Sequence, residues 1–188
     1  MWHAADVIVA AQQSLLALCG KLGLAFPSQA WLMVSIQEQR LYRVSATGEA
    51  LSSYPISSAK KGVGNLQGSL QTPLGLHCIA DKIGDGCAPR TVFKGRQPSG
   101  EMAELELQAR ATGEDCITSR ILWLQGLEPG VNQGAEVDSY QRYIYIHGTH
   151  EEGLIGQPAS IGCIRMCNKD VIELYQHTDK GSWVYILE

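Results

Sequence analysis

Residues 143–170 read YIYIHGTHEEGLIGQPASIGCIRMCNKD, and the reading of the whole chain turns on this stretch. Tyr145 alternates with Ile144 and Ile146, the pattern of a strand whose side chains point to opposite faces. The run ends at His147-Gly148, and sixteen positions after the histidine stands Cys163, inside Ser160-Ile161-Gly162-Cys163-Ile164-Arg165-Met166. A thiol attacks only as thiolate, so a nucleophilic cysteine needs a neighbour that lowers its pKa or takes its proton. An imidazole does both. His147 is the candidate base. Gly162 lets the backbone approach a substrate carbonyl closely, and the N–H groups around Cys163 are candidates for an oxyanion hole. Arg165 would add positive potential for a carboxylate-bearing substrate or form a structural ion pair that braces the cysteine loop. Downstream, Asn168–Tyr175 is the clearest helix, with Asn168 as the expected N-cap and Asp170 in the first turn, where the dipole favours it.

Upstream the texture is mostly β. WLMVSIQ from Trp31, LYRVSA from Leu41 and ALSSYPIS from Ala50 are short strand-like runs, the last two joined by a turn at Thr47-Gly48-Glu49. Further strands are expected at Leu76–Ala80, Ile117–Leu124 and Trp183–Ile186. The glycines of KKGVGNLQGSLQTPLG, residues 60–75, invite a phosphate-loop reading, but no Gly-Lys-Ser/Thr ends the segment and no helical pattern follows it. A mobile loop is the better account. The stretch from Lys82 to Glu101 has little periodicity and reads as a surface loop with a binding role. Residues 4–19 have helix-forming composition, with Ile8, Leu15, Leu16 and Cys19 on one face and Gly20 as the stop.

Composition excludes several classes. The 188 residues favour a single domain with a small appendage, and the formal net charge is −4 with basic residues scattered singly apart from Lys60-Lys61. No basic stripe exists for nucleic acid. The N-terminus lacks the basic n-region of a signal peptide, and Gln12, Gln13 and Ser14 interrupt its apolar run, so no membrane insertion is expected. A cytoplasmic location follows as the expectation, with the periplasm as the alternative. The six cysteines contain no C-x-x-C pair and read as mostly reduced thiols, Cys167 as a packing residue. His147, His150, Cys163 and Cys167 could in principle ligate zinc, but their spacing matches no common zinc motif, so no metal and no cofactor is expected. His150, His77 and His177 read as a solvated loop residue, a strand-surface residue and a helix-end residue.

The residues quoted above carry a resemblance to the YkuD family, the L,D-transpeptidase catalytic domain of bacterial cell-wall enzymes. That family's pattern is a strand ending in His-Gly, then roughly fourteen to seventeen residues, then Ser/Thr-x-Gly-Cys with an aliphatic residue and Arg or Asn. His147-Gly148 and Ser160-Ile161-Gly162-Cys163-Ile164-Arg165 match it, and Thr72-Pro73-Leu74-Gly75 resembles its Thr-Pro-x-Gly strand entry. The resemblance implies a mainly β fold, a sandwich with one short helix after the nucleophile loop. Residues 29–188 would form the catalytic domain and residues 1–28 an N-terminal helical extension and linker. It implies that Cys163 is the nucleophile, His147 its base and Gly148 the residue whose carbonyl fixes the imidazole tautomer. Ser160, Gly162, Arg165 and Tyr145 are then the expected pocket residues. The implied substrate is a murein tetrapeptide or muropeptide, attacked between the L-centre of its diamino acid and the terminal D-alanine, and the implied inhibitors are carbapenems. An amine acceptor gives a cross-link; water gives L,D-carboxypeptidase activity. Hydrolysis of soluble muropeptides, in murein recycling, is the favoured expectation. Ile161 departs from the histidine that many transpeptidases carry there, and the rival reading is a non-catalytic binding module.

Overall fold

The computed structural model describes residues 4–188, so residues 1–3 of the expected N-terminal extension lie outside the described residues. Ten strands form the body: β1 Trp31–Ser35, β2 Arg40–Val44, β3 Ala50–Ser57, β4 Gly75–Ile83, β5 Thr91–Lys94, β6 Gln97–Met102, β7 Ile117–Gly126, β8 Tyr145–Thr149, β9 Ile164–Met166 and β10 Trp183–Leu187. Two α-helices, α1 Ala4–Leu22 and α2 Asn168–Gln176, complete it. The strands hydrogen-bond in the order β4-β10-β1-β2-β3-β9-β8-β7-β5-β6, and β4 also pairs with β7. That last pairing joins the layers of the sandwich, closing it into a ring from which the β5–β6 hairpin extends. Pairing is antiparallel except at β1–β10 and β8–β9.

The apolar runs explain the layers. In β1 all five residues are buried, which a strand covered on both faces requires. Leu32 and Val34 point into the central core with Ile56, Leu122, Leu124, Ile146 and Ile186. Trp31 and Met33 point the other way and pack under α1 with Tyr42, Val44 and Leu76. The helix meets them with Ile8, Ala11, Leu15 and Cys19, spaced three, four and four residues apart, the stripe of an amphipathic helix. Leu16, read from sequence as part of this face, is 59% exposed, because one residue turns the helix by about 100°. Nor does Gly20 stop the helix. Gly23, with φ +67°, ends it, and the Leu24 N–H donates to Cys19 O at 3.0 Å, a Schellman closure. By length and composition the window Ala5–Leu22, mean hydropathy 1.2, is also long and apolar enough to cross a membrane. In this fold its apolar stripe lies on the sheet.

Two stretches read as loops are more ordered than sequence suggested. Within Lys82–Glu101, β4 continues to Ile83, and β5 and β6 form a hairpin. Its turn residues Gly95 and Arg96 have φ of 56° and 66°, the positive pair that a two-residue hairpin needs to match strand twist. Residues 60–75 are strapped down by a Val63–Thr72 bridge and by Asn65, whose side-chain amide donates to Leu74 O and Val131 O. His77 is fully buried on β4, a correction to its surface reading. Its Nδ1 donates to Gly75 O at 3.0 Å and its Nε2 accepts from Ser139 Oγ at 2.9 Å. A neutral ring suits both bonds, and burial holds its pKa down at about 4.

The docking of α1 separates two neighbouring leucines cleanly. Leu15→Ala is expected to cost about 2–5 kcal/mol through the cavity it leaves, and Leu16→Ala to stay within about 0.5 kcal/mol. Urea denaturation followed by tryptophan fluorescence checks the contrast.

Candidate active site

Strands β8 and β9 run parallel at the centre of one wall, with Ile146 opposite Ile164, His147 opposite Arg165 and Gly148 opposite Met166. Alternation then sorts the side chains. Ile144, Ile146, Ile164 and Met166 enter the central core. Tyr145, His147 and Cys163 face outward into a pocket of about 320 Å³, which Asp115, Arg142 and Tyr143 also line. Sequence spacing alone placed the thiol and the imidazole together, and the fold gives them a shared cavity.

The imidazole is held in one tautomer. Nδ1 lies 2.8 Å from Gly148 O, and a carbonyl can only accept, so Nδ1 carries the proton and Nε2 keeps its lone pair. The position behind His147 admits only glycine, since a Cβ on Gly148 would stand 2.6 Å from Thr118 O. The Cys163 thiol donates to Tyr143 O at 3.3 Å and its sulfur accepts the Tyr145 N–H at 3.4 Å. No hydrogen bond joins the sulfur to the imidazole among the described residues. Burial pushes the thiol up to about 12, and the Asp115 carboxylate pushes it further up against the Tyr145 N–H, Arg165 and Arg142, which pull it down. Burial likewise lowers the His147 imidazole below its ordinary value, with Asp115 and the Gly148 carbonyl opposing. Both groups therefore rest uncharged.

The turn that presents Cys163 is tied by Ser160. This side chain is buried: its hydroxyl donates to Cys163 O at 2.5 Å and accepts the Gly162 N–H at 3.3 Å. Ser160 therefore braces the turn from behind and is not among the residues that line the pocket, a correction to the sequence reading that placed it there. Gly162 does line it, in a left-handed conformation, φ +138°, that other residues rarely adopt. Of the two roles open to Arg165, the structure shows the ion pair. The Arg165 side chain is 4% exposed, donates to Glu151 at 2.8 Å and pairs with Asp115 at 2.8 Å, so its guanidinium is engaged in the structural brace and is not among the residues that line the pocket. The ligand set considered for zinc is not brought together. His150 is buried against Thr112 Oγ1 at 2.9 Å, neither solvated nor beside Cys163, and Cys167 stands at the head of α2.

Two residues of the pocket wall escaped sequence reasoning, and a third residue nearby has a role other than the one expected. Asp115 lines it while paired to Arg165. Arg142 lines it too, with donors fixed on the carbonyls of Gly64, Asn65 and Gln71 at 3.2, 2.9 and 2.8 Å, which clamps the 60–75 loop against the site. Asn168, expected as the N-cap of α2, starts the helix, with Cys167 at the cap position. Its amide instead accepts from Thr118 and Ser119 hydroxyls at 2.7 and 2.6 Å and donates to Thr149 O at 2.8 Å, and the Glu152 carboxylate takes its backbone N–H at 2.7 Å. Only spatial neighbours reveal these roles; nothing in the local pattern marks Asp115 or Arg142.

The family model for the L,D-transpeptidase catalytic domain (YkuD) matches residues 29–186. The chain belongs to this family. It is 48% identical over 76 residues, 40% of the chain, to the putative L,D-transpeptidase YkuD of Bacillus subtilis (strain 168). It is 26% identical over 157 residues, 83% of the chain, to the probable L,D-transpeptidase YcfS of Escherichia coli (strain K12). Each match spans 43% of the relative's own length. Among solved structures, L,D-transpeptidase 3 from Mycobacterium tuberculosis, in complex with a faropenem-derived adduct, shares the fold. The TM-score is 0.50 at 13% identity, over 85% of this chain and 60% of that one. The sandwich and the helix after the cysteine loop are thus those of the L,D-transpeptidases.

The Arg165 brace carries a stability consequence. Arg165→Ala would leave the Glu151 carboxylate buried without its cation and Asp115 unpaired, and the expected loss is about 3–5 kcal/mol. Chemical denaturation of the variant measures it.

Proposed function

We propose that the protein is a cysteine-dependent acyl-transfer enzyme acting on murein stem peptides. Cys163 is the nucleophile, His147 the general base, and hydrolysis the favoured outcome. The observation that carries the reading is that the sulfur and an imidazole with Nδ1 locked on the Gly148 carbonyl open onto one pocket. An imidazole fixed in this way offers Nε2, and only Nε2, as the proton acceptor.

The resting charges dictate the order of events. A thiol held up at about 12 is not an ion at neutral pH, so the S–H proton passes to His147 Nε2 as the sulfur bonds to the carbonyl carbon. The carbonyl oxygen becomes an oxyanion, for which the Cys163 backbone N–H is the candidate donor, since the Gly162 N–H is taken up by Ser160 Oγ. Collapse breaks the C–N bond. The imidazolium returns its proton to the departing D-alanine nitrogen, leaving a thioester on Cys163. Water, deprotonated by the same Nε2, then attacks the thioester and releases the shortened stem with the thiol restored; an amine of a second stem in that position would give a cross-link. Two points favour water. The six cysteines are all free in the structure, which suits a reducing compartment, and in such a compartment the stems within reach would be soluble fragments with water as the abundant acceptor. We accordingly place the enzyme in the cytoplasm.

The deciding experiment is incubation with a disaccharide-tetrapeptide and mass analysis of the product. Loss of one alanine supports hydrolysis, a cross-linked dimer supports transpeptidation, and an unchanged substrate overturns both. Cys163→Ala is expected to lower turnover by more than about 10³-fold and to abolish the mass adduct formed with a carbapenem, while the melting transition persists. The pH profile carries a second expectation. Because burial keeps the free-enzyme imidazole neutral below its ordinary range, the acid limb of kcat/KM should lie below pH 6.5. A limb at or above that value would contradict the role given to His147.

A further inference from the structure

The β5–β6 hairpin carries Arg96 at its turn, and the guanidinium does not project freely into solvent. It lies over the Trp123 ring at 4.8 Å from the centroid and 5.3 Å from that of Tyr143. Tyr140 stacks on Trp123 at 4.0 Å with an interplanar angle of 4°, which leaves the opposite face of the indole to the arginine. This platform adjoins the nucleophile pocket, for Tyr143 and Tyr145 line it, and their backbones hold the Cys163 sulfur.

Arg96 is nevertheless short of partners. Among the described residues it makes one long hydrogen bond, 3.4 Å to Tyr145 Oη, and no carboxylate pairs with it. It thus differs from the other arginines of this region. Arg165 is neutralised by two carboxylates, and Arg142 has its donors on backbone carbonyls. A guanidinium offers five N–H donors in a rigid fork that suits a carboxylate, and stacking on aromatic rings holds that fork in place without using its donors.

We infer that Arg96 is the substrate-carboxylate clamp of this site, binding the terminal carboxylate of the residue that leaves when Cys163 attacks. The inference rests on the acyl-transfer reading given above and adds to it the residue that would select a free C-terminus. The chemistry fits the position. The carboxylate of a one-residue leaving group is two bonds from the scissile nitrogen, so its receptor must stand beside the nucleophile pocket, where the hairpin tip stands. The segment from Lys82 to Glu101, read from sequence as a loop with a binding role, then has its function in one side chain.

The test compares wild type and Arg96→Gln on a murein tetrapeptide and on the same peptide with its C-terminal carboxylate amidated. Loss of one charged fork should lower kcat/KM on the free acid by about 10–100-fold, chiefly through KM, and change the amide by less than about two-fold. Arg96→Lys should recover part of the loss. Equal losses on both peptides, or none on either, would overturn the clamp while leaving the acyl-transfer reading intact. Failure of the wild type to release alanine from the free acid would overturn that reading, and the clamp with it.

Discussion

The buried guanidinium of Arg165 is the constraint on which the rest of the site depends. It joins three segments that sequence keeps apart: β9 directly after the cysteine turn, the loop after β8 through Glu151, and the approach to β7 through Asp115. A lone guanidinium in this position would carry a large desolvation cost, and either carboxylate alone would do the same. Held together they satisfy one another, and the geometry that satisfies them fixes His147 and Cys163 on neighbouring strands.

The same brace sets the electrostatics of the pocket. Two carboxylates on one guanidinium leave a net negative charge, and Asp115 brings it to the pocket wall. That charge raises both the thiol and the imidazole, opposing a thiolate and favouring an imidazolium. Burial acts on both groups toward neutrality and is the larger influence on each. A neutral pair has a chemical advantage. In the acyl-transfer reading proposed above, a thiol that ionises only on attack is poorly oxidised at rest, because oxidation follows thiolate character.

How far the sequence revealed this depends on whether a feature is local. The His-Gly and Gly-Cys elements were legible because their chemistry is carried by adjacent residues: an imidazole beside the carbonyl that orients it, and a thiol behind a glycine whose φ only glycine adopts easily. Strand β1 was legible as an unbroken apolar run. Leu16 was not, because a helix stripe on a flat sheet admits its neighbour Leu15 and excludes it by a rotation that hydrophobicity does not encode. Ser160 was correctly tied to the cysteine loop and wrongly aimed, and for Arg165 the sequence left a substrate contact and a structural ion pair both open, because the choice is settled by Asp115 and Glu151, which no local pattern marks as its partners. Arg142, Asp115 and the β5–β6 hairpin lay beyond reach for the same reason.

Strand register links the core to the chemistry. Side chains alternate along β8, so a slip of one residue would send His147 into the core and Ile146 into the pocket. The pairing with β7 guards against this through an irregularity: Thr118 faces Gly148 while Ile121, three residues on, faces His147. The extra residues of β7 are absorbed at Ser119, whose φ of 62° is unusual for a side chain larger than glycine. Such a conformation persists only where surroundings impose it, and here the Ser119 hydroxyl donates to Asn168 at 2.6 Å and accepts the Arg90 N–H at 2.8 Å. The bulge lets β7 approach Gly148 closely enough to exclude any Cβ. Where that glycine sits, its carbonyl lies within reach of the histidine that precedes it. A kink in one strand therefore helps choose which nitrogen of His147 bears a proton.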